Sequence, residues 1–114
     1  MANLLKQWQE FLTSLPAGVL VYPGEEYFAI EDEKTPAEWY NGADLTKPPF
    51  QPGDKVMLNI EVRRDELWMV REPQTVKWLH PTPVGDGLVW DLEFEADIPY
   101  CVTAEDVRLV EKSP

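Results

Sequence analysis

The last third of the chain constrains the fold most. From Leu88 to Glu95 the residues alternate, with Leu88, Trp90, Leu92 and Phe94 on one face and Val89, Asp91, Glu93 and Glu95 on the other. A period of two is the pattern of a half-buried strand. Ala96-Asp97 breaks the pattern, Ile98-Pro99-Tyr100-Cys101-Val102 opens a second strand, and Val107-Arg108-Leu109-Val110 forms a third. Between the last two, Thr103-Ala104-Glu105-Asp106 sets a hydroxyl three residues ahead of a carboxylate, a pairing that satisfies the open amides of a helix start. So short a segment before another strand predicts a single 3₁₀ turn. The order is strand, corner, strand, one helical turn, closing strand.

Upstream, Val56, Leu58, Ile60 and Val62 point one way and Lys55, Asn59 and Glu61 the other, so Asp54–Val62 reads as a half-buried strand. Arg63-Arg64-Asp65-Glu66 reads as a polar turn. Leu67-Trp68-Met69-Val70 and Thr75-Val76-Lys77-Trp78-Leu79 read as two further strands. His80-Pro81-Thr82-Pro83 and Gly85-Asp86-Gly87 predict a loop, because proline removes a ladder donor.

The N-terminal third differs. Leu4, Leu5, Trp8, Phe11, Leu12 and Leu15 recur at spacings of three and four, an amphipathic helix over 1–15 with Asn3 as its cap and Pro16 and Gly18 ending it. So short a helix needs a surface to dock on. The expectation is that it packs on the sheet through Leu5, Trp8, Leu12 and Leu15. Val19–Tyr22 and Tyr27–Ile30 flank Pro23-Gly24, a turn signal, and predict a hairpin over 19–30. Residues 31–49 form an irregular acidic loop. Within it Thr35-Pro36-Ala37-Glu38 predicts a short helical turn closed by a capping box.

Pro52-Gly53-Asp54-Lys55-Val56 at a first strand, Trp90-Asp91-Leu92-Glu93-Phe94 at a central strand, and the Tyr100–Val110 ending together resemble the SH3-like small-barrel superfamily. The resemblance covers residues 50–111 and concerns a scaffold. It departs from the usual pattern in lacking a glycine on the second strand, and the N-terminal helix and hairpin lie outside it. It implies a mainly β fold: a small SH3-like barrel with an N-terminal amphipathic helix and an added β-hairpin. Such barrels usually bind rather than catalyse.

With 114 residues the chain fits a single domain, 1–114. No apolar run approaches the length of a membrane span, and one cysteine forms no internal disulfide, so a reducing cytoplasm is the expected setting. The formal net charge is −11. That charge opposes direct contact with a nucleic-acid backbone and suits a basic protein partner. It is uneven: residues 22–50 hold seven acids against Lys34 and Lys47, whereas residues 55–80 hold four acids against five bases.

Catalytic motifs are thin. Cys101 sits in an apolar strand, which predicts an inert buried thiol. His80 reads as a loop residue, and a Cys101–His80 dyad needs the fold to bring the two together. One His and one Cys do not make a zinc set, and Glu31-Asp32-Glu33 lacks the spaced ligands of a calcium loop. No catalytic residue, metal or cofactor is expected.

The aromatic residues are the stronger clue. Trp8 and Trp90 are expected in the core, whereas Trp39-Tyr40 falls in the irregular loop among acids. The expected partner-binding set is therefore Trp39, Tyr40, Glu31, Asp32, Glu33, Glu38 and Asp44. Rings with acidic neighbours suit a basic or proline-rich segment, through cation–π attraction and stacking. The same residues also fit a loop folded over the barrel with Trp39 plugging its end. The expected role is a non-catalytic interaction or regulatory module. Alternatives are an acidic mimic of nucleic acid that blocks a DNA-binding protein, and a small accessory subunit of an enzyme complex.

Overall fold

A computed structural model describes residues 2–59, 72–98 and 101–114. The fold is mainly β, an antiparallel sheet with three short helices gathered at the N-terminus. The helices are α1 (Ala2–Ser14), α2 (Glu25–Glu31) and α3 (Pro36–Trp39). The strands are β1 (Lys55–Leu58), β2 (Gln74–Val84), β3 (Gly87–Phe94), β4 (Val102–Thr103) and β5 (Val107–Glu111), in the order β4-β3-β2-β1-β5. The expected strand Leu67–Val70, the turn before it, and the far end of the Asp54–Val62 strand lie outside the described residues.

Strands β4 and β5 are the two edges of the sheet, yet only the 3₁₀ turn Ala104–Asp106 separates them. Three residues of 3₁₀ helix advance only about 6 Å. The sheet must therefore curl until its edges approach each other. The edges do not pair among the described residues, so the curled sheet stays open there. As the sequence predicts, Thr103 and Asp106 fasten the turn: the Asp106 carboxylate accepts from the Thr103 amide (3.3 Å) and hydroxyl (3.1 Å).

Strand β2 runs straight through His80-Pro81-Thr82-Pro83, where a loop is expected, and pairs with β3 up to Val84 opposite Gly87. The parity of the strand explains it. The amide of Leu79 turns away from β3 and donates to the Gly18 carbonyl at 2.7 Å. Pro81 and Pro83 share that parity, so the amides they lack are ones that β3 does not use.

Two apolar clusters form among the described residues. The first is the inner face of the sheet: Val56, Leu58, Val76, Leu79, Leu92, Phe94 and Val102. The second lies among the helices: Trp8, Val21, Ala29, Tyr40 and Leu45. Trp90 packs against both, and Leu88 against the second. The alternating face of β3 thus joins the two cores.

The structure revises two expectations here. Helix α1 packs on α2, α3 and the loop after them, within the second cluster, rather than on the inner face of the sheet. It does so through Leu4, Trp8, Phe11, Leu12 and Leu15, and Leu5 is 44% exposed at the edge of the stripe. It starts at Ala2, so Asn3 is inside the helix and not its cap.

The hairpin over 19–30 does not form. Pro23-Gly24 makes its turn, with Gly24 at φ 92° and the Glu25 amide bonded to the Tyr22 carbonyl. The chain then enters α2 instead of a returning strand. Glu25 and Glu26 fall in the first helical turn, where negative charge offsets the exposed amides. Ala29, completely buried, lets α2 approach the Trp8–Tyr40 cluster. On the other side of the turn, Val19 makes a single parallel bridge to Leu79.

Candidate functional site

Helix α2 packs inward through Ala29 and Ile30 but leaves its largest apolar side chains outside. Its two large rings, Tyr27 and Phe28, are 68% and 62% exposed. Glu25 faces inward and is partly buried, where its Oε2 accepts a 2.8 Å hydrogen bond from the Tyr40 hydroxyl. Burial raises the Glu25 carboxyl above its ordinary range, and the bond from Tyr40 pulls it partly back. Gly24, Tyr27, Phe28 and Glu31 recur at spacings of three and four, so one face of the helix carries both rings and an acid. Leu20 and Tyr22, just ahead of the helix, are also exposed. Isolated apolar residues on a surface are ordinary, but two large rings exposed side by side in one helix mark a candidate interaction site.

The chain leaving α2 reads Glu31-Asp32-Glu33, all exposed. Glu33 holds φ at 57°, in the left-handed region. Helices commonly end on a residue in this conformation, and it is usually glycine, because a Cβ there is strained. A glutamate in that place keeps a charge at a cost in backbone energy. The surface therefore combines two outward rings with three consecutive acids.

The sequence-expected residues divide into three groups. Glu31, Asp32 and Glu33 lie at the end of the aromatic face of α2. Glu38 is spent on the capping box of α3: its side chain accepts from the Thr35 amide at 2.9 Å, and its own amide donates to the Thr35 hydroxyl. The bond from the Thr35 amide first, and then the Thr35 side chain, lower the Glu38 carboxyl below its ordinary range. Asp44 is exposed and accepts from the Thr46 hydroxyl and amide, which lowers it likewise.

Tyr40 is corrected. It is 1% exposed, stacks on Phe11 with ring centroids 5.7 Å apart, and belongs to the second core. Burial first, and then the Glu25 bond, raises its phenol far above the ordinary value. Trp39 is partly buried against the same cluster, with the Lys34 ammonium 6.0 Å from its ring centre. Sequence reasoning missed Tyr27 and Phe28 because it placed them in a strand, where alternate residues turn inward.

A second constellation surrounds His80. The structure buries this residue on β2 rather than exposing it on a loop. Its Nδ1 lies 2.8 Å from the Leu20 carbonyl and its Nε2 3.2 Å from Glu93 Oε1. Tyr22 stacks on the ring at 4.3 Å. The Tyr22 hydroxyl reaches Asp91 at 3.5 Å, and burial, then Asp91, pushes that phenol up to about 12. Cys101, expected to be a buried thiol, is exposed, and it lines a cavity of about 150 Å³ with Tyr22, His80, Asp91 and Glu93. The fold thus brings His80 and Cys101 to one cavity. Its two ring nitrogens face other oxygens, the Leu20 carbonyl and the Glu93 carboxylate. The cluster reads as a clamp that ties the Gly18–Tyr22 segment to the sheet.

Among the described residues, no group of three or more His, Cys, Asp or Glu side chains is placed to hold a metal, and no helix is long and apolar enough to cross a membrane. No protein family, curated protein or solved structure matches this chain.

Proposed function

We propose that this protein is a non-catalytic, cytoplasmic interaction module that grips a basic segment of a partner protein. The outward face of α2 makes the contact: Tyr27 and Phe28 as anchors, and Glu31, Asp32 and Glu33 as the charged flank. The observation that carries the reading is the exposure of two adjacent rings on one helix that turns a partly buried glutamate inward. Arginine suits such a surface, since it stacks on aromatic rings and pairs with carboxylates. The acidic surplus of the whole chain speeds the approach of such a partner. In this reading the curled sheet is an SH3-like scaffold, supported by the 3₁₀ turn that carries the chain from one sheet edge to the other.

The test is a titration with a synthetic peptide of repeated Arg-Pro units, followed by amide chemical shifts. The reading predicts shifts concentrated over residues 24–33 that weaken as salt rises. Shifts absent, or spread evenly over the acidic surface, would count against it.

A further inference from the structure

A second surface lies away from the outward face of α2. Helix α1 and the α3 region enclose an open groove of about 660 Å³. Its apolar lining includes Phe11, Leu15, Pro36, Ala37, Ala43 and Leu45. Two carboxylates border it: Glu10 from α1, and Asp44 from the loop after α3. No lysine, arginine or histidine lines it. The Thr46 hydroxyl and amide, both donating to Asp44 Oδ1, hold that carboxyl below its ordinary range and leave Oδ2 for another donor.

Contacts within the protein tie the walls together. The Trp8 indole donates to the Lys34 carbonyl at 2.9 Å, which ties α1 to the chain entering α3. Phe11 stacks on Tyr40, and Trp8 meets Phe11 edge-on at 5.5 Å. The capping box of Thr35 and Glu38 fixes the start of α3. A preformed apolar groove spares a ligand the ordering cost that a mobile one would impose.

We infer that this groove docks a short apolar segment of a partner protein with an arginine or lysine beside its apolar anchors. Charge complementarity selects that occupant. The apolar lining takes the anchors, and the two bordering acids take the cation. A second copy of this chain is disfavoured, because each copy carries a net charge of −11. The inference adds a site to the proposed function and stands or falls separately from it.

The test uses acetyl-Leu-Leu-Arg-amide as probe, with the Gln and Glu peptides as its controls, followed by amide chemical shifts of the intact protein. The Arg peptide should move signals of Phe11, Leu15, Ala37 and Leu45 and bind about tenfold more tightly than the Glu peptide. Asp44→Asn keeps the acceptor for Thr46 and should shrink the preference of Arg over Gln. Ala37→Trp, at an exposed position on the groove wall, should abolish binding while the melting temperature holds. Tyr27→Ser/Phe28→Ser should leave all of this unchanged, which separates the groove from the α2 face. Equal binding of the three peptides, binding that survives Ala37→Trp, or a protein that dimerises through the groove would overturn the inference.

Discussion

Tyr40 and Tyr22 show how much a single hydroxyl is asked to do here. Tyr40 contributes a buried ring to the helical core and a donor to the one glutamate that α2 turns inward. Tyr40→Phe should keep the packing and lose the bond, leaving a partly buried carboxylate short of a donor. A cost of about 1–3 kcal/mol is expected, measured by denaturant unfolding. Tyr22 acts on the pH profile. Its pKa rises from an ordinary 10.0 to about 12 in the folded protein. Between those values the unfolded chain has released a proton that the folded chain keeps, so rising pH favours unfolding. The contribution of Tyr22 is complete below pH 10 and is lost as pH passes through about 12. Tyr22→Phe should therefore flatten the alkaline fall in stability over that window, read from melting temperatures. An unchanged profile would mean that the ring is more open to solvent than its stacking on His80 implies.

At the scale of elements, the sequence was most readable where local chemistry and periodicity agreed. The α1 stripe, the alternation of β3 and the two hydroxyl–carboxylate caps, Thr35 with Glu38 and Thr103 with Asp106, all have causes within a few residues. The Glu25–Glu31 segment was misread because Tyr27, Phe28 and Ile30 are all good strand formers, and only tertiary contact selects the helix. Ala29 is the decisive residue: it fits against the Trp8–Tyr40 cluster as a helix face, and that cluster is assembled from segments far apart in the chain. The extension of β2 through Pro81 and Pro83 was hidden for a similar reason, since it depends on which neighbour each amide faces. The same limit applied to the candidate site. Its acids were legible as a charge run, but its rings were assigned to the wrong element. The end of α2 offers a test. Glu33→Gly removes the strain of a side chain at positive φ and should stabilise the protein by about 1 kcal/mol. If Glu33 serves the partner, the same change should weaken binding of the Arg-Pro peptide, and stability and affinity would move in opposite directions.

The described residues form a curled sheet and a small helical layer, each with its own apolar cluster, joined through the β3 face at Leu88 and Trp90. The sheet supplies the frame, and the helical layer carries both proposed binding surfaces. On this account Tyr27 and Phe28 contribute little to folding, because neither belongs to a cluster. By contrast Trp8→Ala, in the heart of the helical cluster, should cost about 3–5 kcal/mol. The central claim is that the α2 rings are held out of the core for a partner. The most direct measurement compares Tyr27→Ser/Phe28→Ser with the unaltered protein in thermal unfolding and in titration with the Arg-Pro peptide. The account predicts a melting temperature within a few degrees of the original, a change of under about 1 kcal/mol, together with loss of the chemical-shift response over residues 24–33. A protein that unfolds when the two rings are removed, or that binds the peptide as well without them, would contradict it.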